Sequence, residues 1–142
     1  MRDAAPVHEA KRLLTSIDVD EPAGTPCDAD RQMSVSALLE LELTSGRRVT
    51  LLDDRGWSSG GPSNIWAYTS LKDLVDTART VVGPDEPPDG VSYEDAEQGY
   101  WAQLAANARA HGVRIQAGDL AALPHDVVIS QEILVRVARA AR

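Results

Sequence analysis

Along Val35, Ala37, Leu39, Leu41 and Leu43 every second residue is apolar, and Val49 and Leu51 resume the pattern after Thr44, Ser45, Gly46, Arg47 and Arg48. A period of two marks a strand with one face buried, so the stretch from about 35 to 54 predicts a β-hairpin. Residues facing each other across an antiparallel pair share a sheet face, and the apolar positions here are all odd-numbered. A strict two-residue turn at Ser45-Gly46 would set Leu43 against Arg48 and break that parity. The pattern therefore predicts a longer or bulged turn, with Gly46 at positive φ, Leu41 opposite Leu51 and Leu43 opposite Val49.

Elsewhere the apolar spacing turns helical. Ser70 and Asp73 form an acidic capping box ahead of a stripe made by Leu71, Leu74, Val75, Ala78 and Val82, and Gly83-Pro84 supplies a stop. Ser92 with Asp95 starts a second helix whose face carries Tyr93, Ala96, Tyr100, Trp101, Leu104, Ala105 and Ala108, with Trp101 expected in the core. Ser130 caps a third, with Ile133, Leu134, Val137, Ala138 and Ala141 on one side. Val7, Ala10, Leu13, Leu14 and Ile17 also recur at helical spacing and predict a short amphipathic helix. Ile65 to Tyr68 reads as a third strand, Val113 to Ile115 as a short one, and Gly118 to Pro124 as a turn or single helical turn. Val127 to Ile129 fits a strand or an extended entry to the last helix. Together these give an α+β fold: an antiparallel sheet seeded by the hairpin, with three main helices packed mostly on one face.

The length of 142 residues suits one α+β domain spanning 1–142. Its expected weak point is a flexible acidic loop at 18–34, where Asp18, Asp20, Glu21, Asp28 and Asp30 stand among Pro, Gly and Thr. No run of apolar residues is long enough to span a bilayer, and the first residues lack the apolar core of a signal peptide. One cysteine, Cys27, gives no internal disulfide. These features predict a soluble cytoplasmic protein. Asp and Glu number 22 against 14 Lys and Arg, a formal charge of −8, which repels nucleic acid and anionic membranes and favours a basic partner.

Several chemistries can be weighed from spacing. Counting from Asp18, the acidic stretch places Ala23 and Ala29 where a calcium loop of the EF-hand type needs glycine and glutamate, so no metal is expected there. His8, His111 and His125 form no H-x-x-x-H pair. The run Ser58-Ser59-Gly60-Gly61-Pro62-Ser63-Asn64 lacks the lysine and spacing of a P-loop, and no helix follows it directly. His125-Asp126 with Ser58, Ser59 or Ser63 could in principle assemble a nucleophilic triad, but there is no G-x-S-x-G elbow. Glu94, Asp95 and Glu97 are explained by the positive end of their helix. No catalytic residue and no cofactor is assigned.

What the caps and dipoles leave unexplained is the far end of the hairpin. Asp53, Asp54, Arg55 and Trp57, with Trp66 across the loop, combine carboxylates, a guanidinium and two indoles, side chains that interfaces favour. They are the candidate partner-binding residues. The preferred function is an acidic, non-enzymatic protein-binding module, of the immunity or antitoxin type, that inhibits a basic protein. Two alternatives stand beside it. One is a small ligand-binding domain or enzyme with its cleft at the Gly60-Gly61 loop, lined by Arg55, Trp57 and Trp66. The other is a structural module that forms homo-oligomers through a sheet edge.

Overall fold

A computed structural model describes residues 10–20, 32–61 and 65–140, and in it the hairpin stands where its alternation places it. Strands β2, Gln32–Leu43, and β3, Arg48–Gly60, bury their odd-numbered side chains from Val35 to Leu51. The turn between them is bulged. The Gly46 N–H donates to the Leu43 carbonyl and the Leu43 N–H to the Arg47 carbonyl, both at 2.9 Å, with Gly46 at φ 92°. Leu43 thus faces Arg47 rather than Val49, a shift of one pair toward the turn that still keeps odd residues against odd ones.

Among the described residues the sheet has four strands, in the order β3-β2-β1-β4. Strand β1 is Ala10–Val19 and β4 is His125–Ile129. β1 pairs antiparallel with β2, its end fixed by the Asp20 N–H donating to the Ser34 carbonyl at 2.9 Å. β4 lies parallel to β1, because Leu13 donates to the Pro124 carbonyl and Ser130 to the Ile17 carbonyl, so both chains advance together. The fold is α+β with a mixed sheet.

Among the described residues four α-helices accompany it: α1, Leu71–Val81; α2, Tyr93–Ala110; α3, Ala117–Ala121; and α4, Gln131–Ala140. Their starts follow the expected caps. The Ser70 and Ser92 hydroxyls accept from the Asp73 and Asp95 N–H groups at 3.0 and 3.1 Å, and Ser130 accepts from Ile133 at 3.2 Å.

Further sequence expectations are corrected. The segment from Ala10 onward is β1, not a helix; the preceding part of that expectation, Val7 to Glu9, lies outside the described residues. Leu13, Leu14 and Ile17 are all buried, which is what a strand flanked by neighbours on both sides and covered on both faces shows, and which blurs the alternation. Ile65–Tyr68 is a 3-10 helix rather than a third strand. Val113 to Ile115 is irregular. The expected acidic loop at 18–34 is shorter than its composition suggests, since residues 18 and 19 close β1 and residues 32–34 open β2; residues 21–31, with Cys27, lie outside the described residues, as does His8.

By chain contacts the protein divides into two compact units. The first comprises Met1–Leu14, Leu39–Leu52 and Pro84–Asp126, and the second Thr15–Leu38, Asp53–Gly83 and Val127–Arg142, so that each of β1 to β4 contributes to both. In the first unit Leu41, Leu43, Leu104, Ala108, Val113 and Leu120 are buried, and the Asn107 amide donates to the Leu51 carbonyl at 2.9 Å, tying α2 to β3. In the second, Ile17, Val35, Trp66, Leu74, Ala78 and Ile133 are buried. Among the described residues no helix is long and apolar enough to cross a membrane.

On the even-numbered face of the first unit, Glu42 is only 8% exposed and is held by cations. Arg12 Nε donates to Glu42 Oε1 at 2.6 Å while its Nη1 donates to Asp126 Oδ2 at 2.8 Å; Arg48 Nε and Lys11 Nζ stand 3.7 and 3.9 Å from the Glu42 carboxylate. The Arg12 hydrogen bond first, and then the surrounding positive charge, hold the Glu42 carboxyl below its usual range despite the opposing effect of burial. A carboxyl depressed in the folded state stabilises above its unfolded pKa of about 4.3 and loses that contribution as pH falls through the lower folded value. Urea midpoints measured across pH should therefore drop more steeply on the acid side for the wild type than for Glu42→Gln, which is the less stable of the two at neutral pH. Identical acid limbs would exclude this role for Glu42.

Candidate functional site

The five residues singled out in sequence are placed in the second unit, and the structure gives them different surroundings. Successive strand residues point to opposite faces, so Asp53 and Asp54 diverge. Both are exposed. Arg55 is half-buried and serves α1: its Nη1 donates to the carbonyls of Val81 and Gly83 at 3.1 and 3.5 Å, at the end of the helix where carbonyls lack partners. Its Nε is 3.8 Å from Asp54 Oδ1. Trp66 is packed inward. It is 5% exposed, sits in the 3-10 helix against α4, and has the Arg136 guanidinium 5.8 Å from its ring centroid.

Trp57 borders a small cavity. A pocket of about 150 Å³ is lined by Met33, Trp57, Ser59, Tyr68, Thr69, Asp73, Leu74 and Thr77. The expected cleft at Gly60-Gly61 is not this one: β3 continues through Gly60, and residues 62–64, including Ser63, lie outside the described residues. Among the described residues no group of three or more His, Cys, Asp or Glu side chains could hold a metal. The Asp126 carboxylate, considered as a triad member, is engaged by Arg12.

A larger cavity, about 540 Å³, lies in the first unit between α2 and α3. α2 contributes Tyr93, Glu94, Glu97, Gln98 and Trp101, and α3 contributes Ala117, Gly118 and Ala121. Local sequence explains the opening. The buried residues of α2 are Leu104, Ala105 and Ala108, all in its second half, so the first half of the helix stands clear of the packed patch. Tyr93, Glu97 and Trp101 recur every fourth residue and share one face. α3 is pinned by Leu120, which has no exposed surface, and turns its small residues toward the groove.

The floor and walls are apolar and aromatic, and the charges at the rim are negative. None of the lining residues is basic. Tyr93 is 76% exposed. Trp101, which periodicity placed in the core, is half-buried and meets the Tyr100 ring edge-on, with centroids 5.0 Å apart and planes at 83°. That T-shaped contact is a favourable geometry for an aromatic pair. Sequence reasoning gave Glu94 and Glu97 wholly to the helix dipole and missed the groove, because nothing in the spacing reveals which half of a long helix projects beyond its support.

No protein-family model, curated protein or solved structure matches the chain.

Proposed function

We propose that this protein is an acidic protein-binding module that engages a basic protein, in the manner of an immunity or antitoxin-type inhibitor. The observation that carries the reading is the groove between α2 and α3, where aromatic and small apolar residues are rimmed by Glu94 and Glu97. Interfaces draw affinity from buried aromatic anchors and speed from complementary charge. A formal charge of −8 extends the same preference over the whole chain.

Co-expression with the products of adjacent genes tests this directly. A basic product should form a complex whose association slows as salt is raised, and the double variant Glu94→Lys with Glu97→Lys should slow association by about tenfold or more. Asp53→Lys serves as the matched comparison: an equal loss there would return the contact to the end of β3. Neighbouring products that form no complex would count against the proposal.

The pocket beside Trp57 supports a second reading, as a small-ligand site with an indole, a phenol ring and the Asp73 carboxylate at its border. Its volume of about 150 Å³ is below the roughly 300 Å³ at which ligand pockets usually begin, so it suits only a small group. Thermal stabilisation by a small molecule, lost in Trp57→Ala, would favour it.

A further inference from the structure

Building on the basic-partner reading, we infer that the groove between α2 and α3 takes an arginine side chain of the partner, its stem over Gly118 and its guanidinium between the Tyr93 and Trp101 rings and the carboxylates of Glu94 and Glu97. Tyr93 and Trp101 are two helical turns apart, about 12 Å along the axis, with Glu97 midway between them on the same face. A planar guanidinium can stack on an aromatic ring while its N–H fork bonds a carboxylate, a combination that a lysine ammonium does not match. The volume of about 540 Å³ holds such a side chain with part of the backbone that carries it.

Other occupants fit less well. A purely apolar anchor would strip water from Glu94 and Glu97 without supplying a partner, which is costly. An anion would meet those carboxylates directly. A second copy of this chain brings its own formal charge of −8, and its Arg136 already bonds Glu132 at 3.2 Å and lies against Trp66.

Gly118 supplies the means of testing this. A Cβ built there meets nothing within 4 Å, and its φ is not positive, so neither packing nor backbone conformation demands glycine. Gly118→Leu would fill the groove while replacing a poor helix former by a good one.

The test is a two-dimensional NMR titration of the full chain with a blocked tetra-arginine peptide, with tetra-lysine and tetra-glutamate in parallel. Tetra-arginine should shift the Gly118 amide and Trp101 indole resonances, and tetra-lysine should bind several-fold more weakly. Tetra-glutamate should leave both in place. Gly118→Leu should weaken tetra-arginine binding at least tenfold with its melting temperature unchanged or raised. The inference is overturned if tetra-arginine leaves those resonances in place, if tetra-lysine binds as tightly, or if Gly118→Leu binds like the wild type. Light scattering that shows a dimer abolished by Gly118→Leu would instead make a second copy the occupant and overturn it as well. The two levels separate: a basic partner whose affinity ignores Gly118→Leu leaves the protein-partner reading standing and removes this one. Saturable tetra-arginine binding in the groove, without any basic partner among neighbouring products, does the reverse.

Discussion

Leu74→Asp is expected to be severely destabilising, lowering the melting temperature far more than any surface change on the same helix. Leu74 is 1% exposed on the inner side of α1, within the second unit. The substitution removes burial worth about 1.5 to 3 kcal/mol, leaves a cavity, and forces a carboxylate to ionise without a partner or to stay protonated at a further cost. The sum reaches roughly 4 to 5 kcal/mol or more, against total stabilities of about 5 to 15 kcal/mol for domains of this kind. Leu71→Asp is the internal comparison. Both leucines belong to one stripe in the sequence, yet Leu71 is 42% exposed, so its replacement should stay within about 0.5 kcal/mol. Thermal melts followed by circular dichroism read both; equal melting temperatures for the two variants would refute the assigned packing of α1.

The second large effect comes from a single methyl group. At Gly56 a Cβ would stand 2.5 Å from the Val35 carbonyl oxygen and 3.3 Å from the Ser36 Cα. Both contacts are with backbone, so no side chain can swing aside, and β2 or β3 must shift for Gly56→Ala to fit. Strain of this kind typically costs about 1 to 3 kcal/mol, and β3 beyond Arg55 has few buried side chains to resist the shift. Loss of protection in amide exchange around Val35 and Gly56 should accompany the lower melting temperature. Gly60→Ala, on the same strand and with nothing within 4 Å, should be neutral or slightly stabilising. If both alanine variants melt like the wild type, the close approach of β2 and β3 at Gly56 does not hold in solution.

These variants also show where sequence reasoning succeeded and where it stopped. The hairpin was legible because its alternation is one-sided. The apolar parity fixed which face is buried and required a bulged turn at Gly46, and only the register was off by one pair. α1, α2 and α4 were legible from Ser70, Ser92 and Ser130, since a cap is a local hydrogen bond between a side chain and the backbone N–H groups three residues on. β1 was not. Its adjacent Leu13 and Leu14 are both buried, a spacing that a helix and a doubly covered strand share. Ile65 to Tyr68 was too short to carry a period at all.

At the candidate sites the limit was of another kind. The residues chosen in sequence were chosen by chemical type, and type does not say what a side chain is already bound to. Arg55 is occupied by carbonyls at the end of α1, Trp66 is packed inward, and Trp57 borders a small cavity. Conversely, Glu94 and Glu97 had a sufficient explanation in the helix dipole, and that explanation concealed their place on the rim of a groove.

The sequence by itself determined the α+β class, the hairpin with its parity and bulged turn, the caps of three helices, and the acidic balance of the chain. All of these depend on neighbours within a few residues or on sums over the chain. Tertiary structure alone decided that Ala10–Val19 is a strand between β2 and β4, that β4 runs parallel to it, that Glu42 is held by Arg12 from thirty positions away, and that the first half of α2 opens a groove against α3. Each of these turns on which distant residues compete for the same surface, and burial is settled only by that competition.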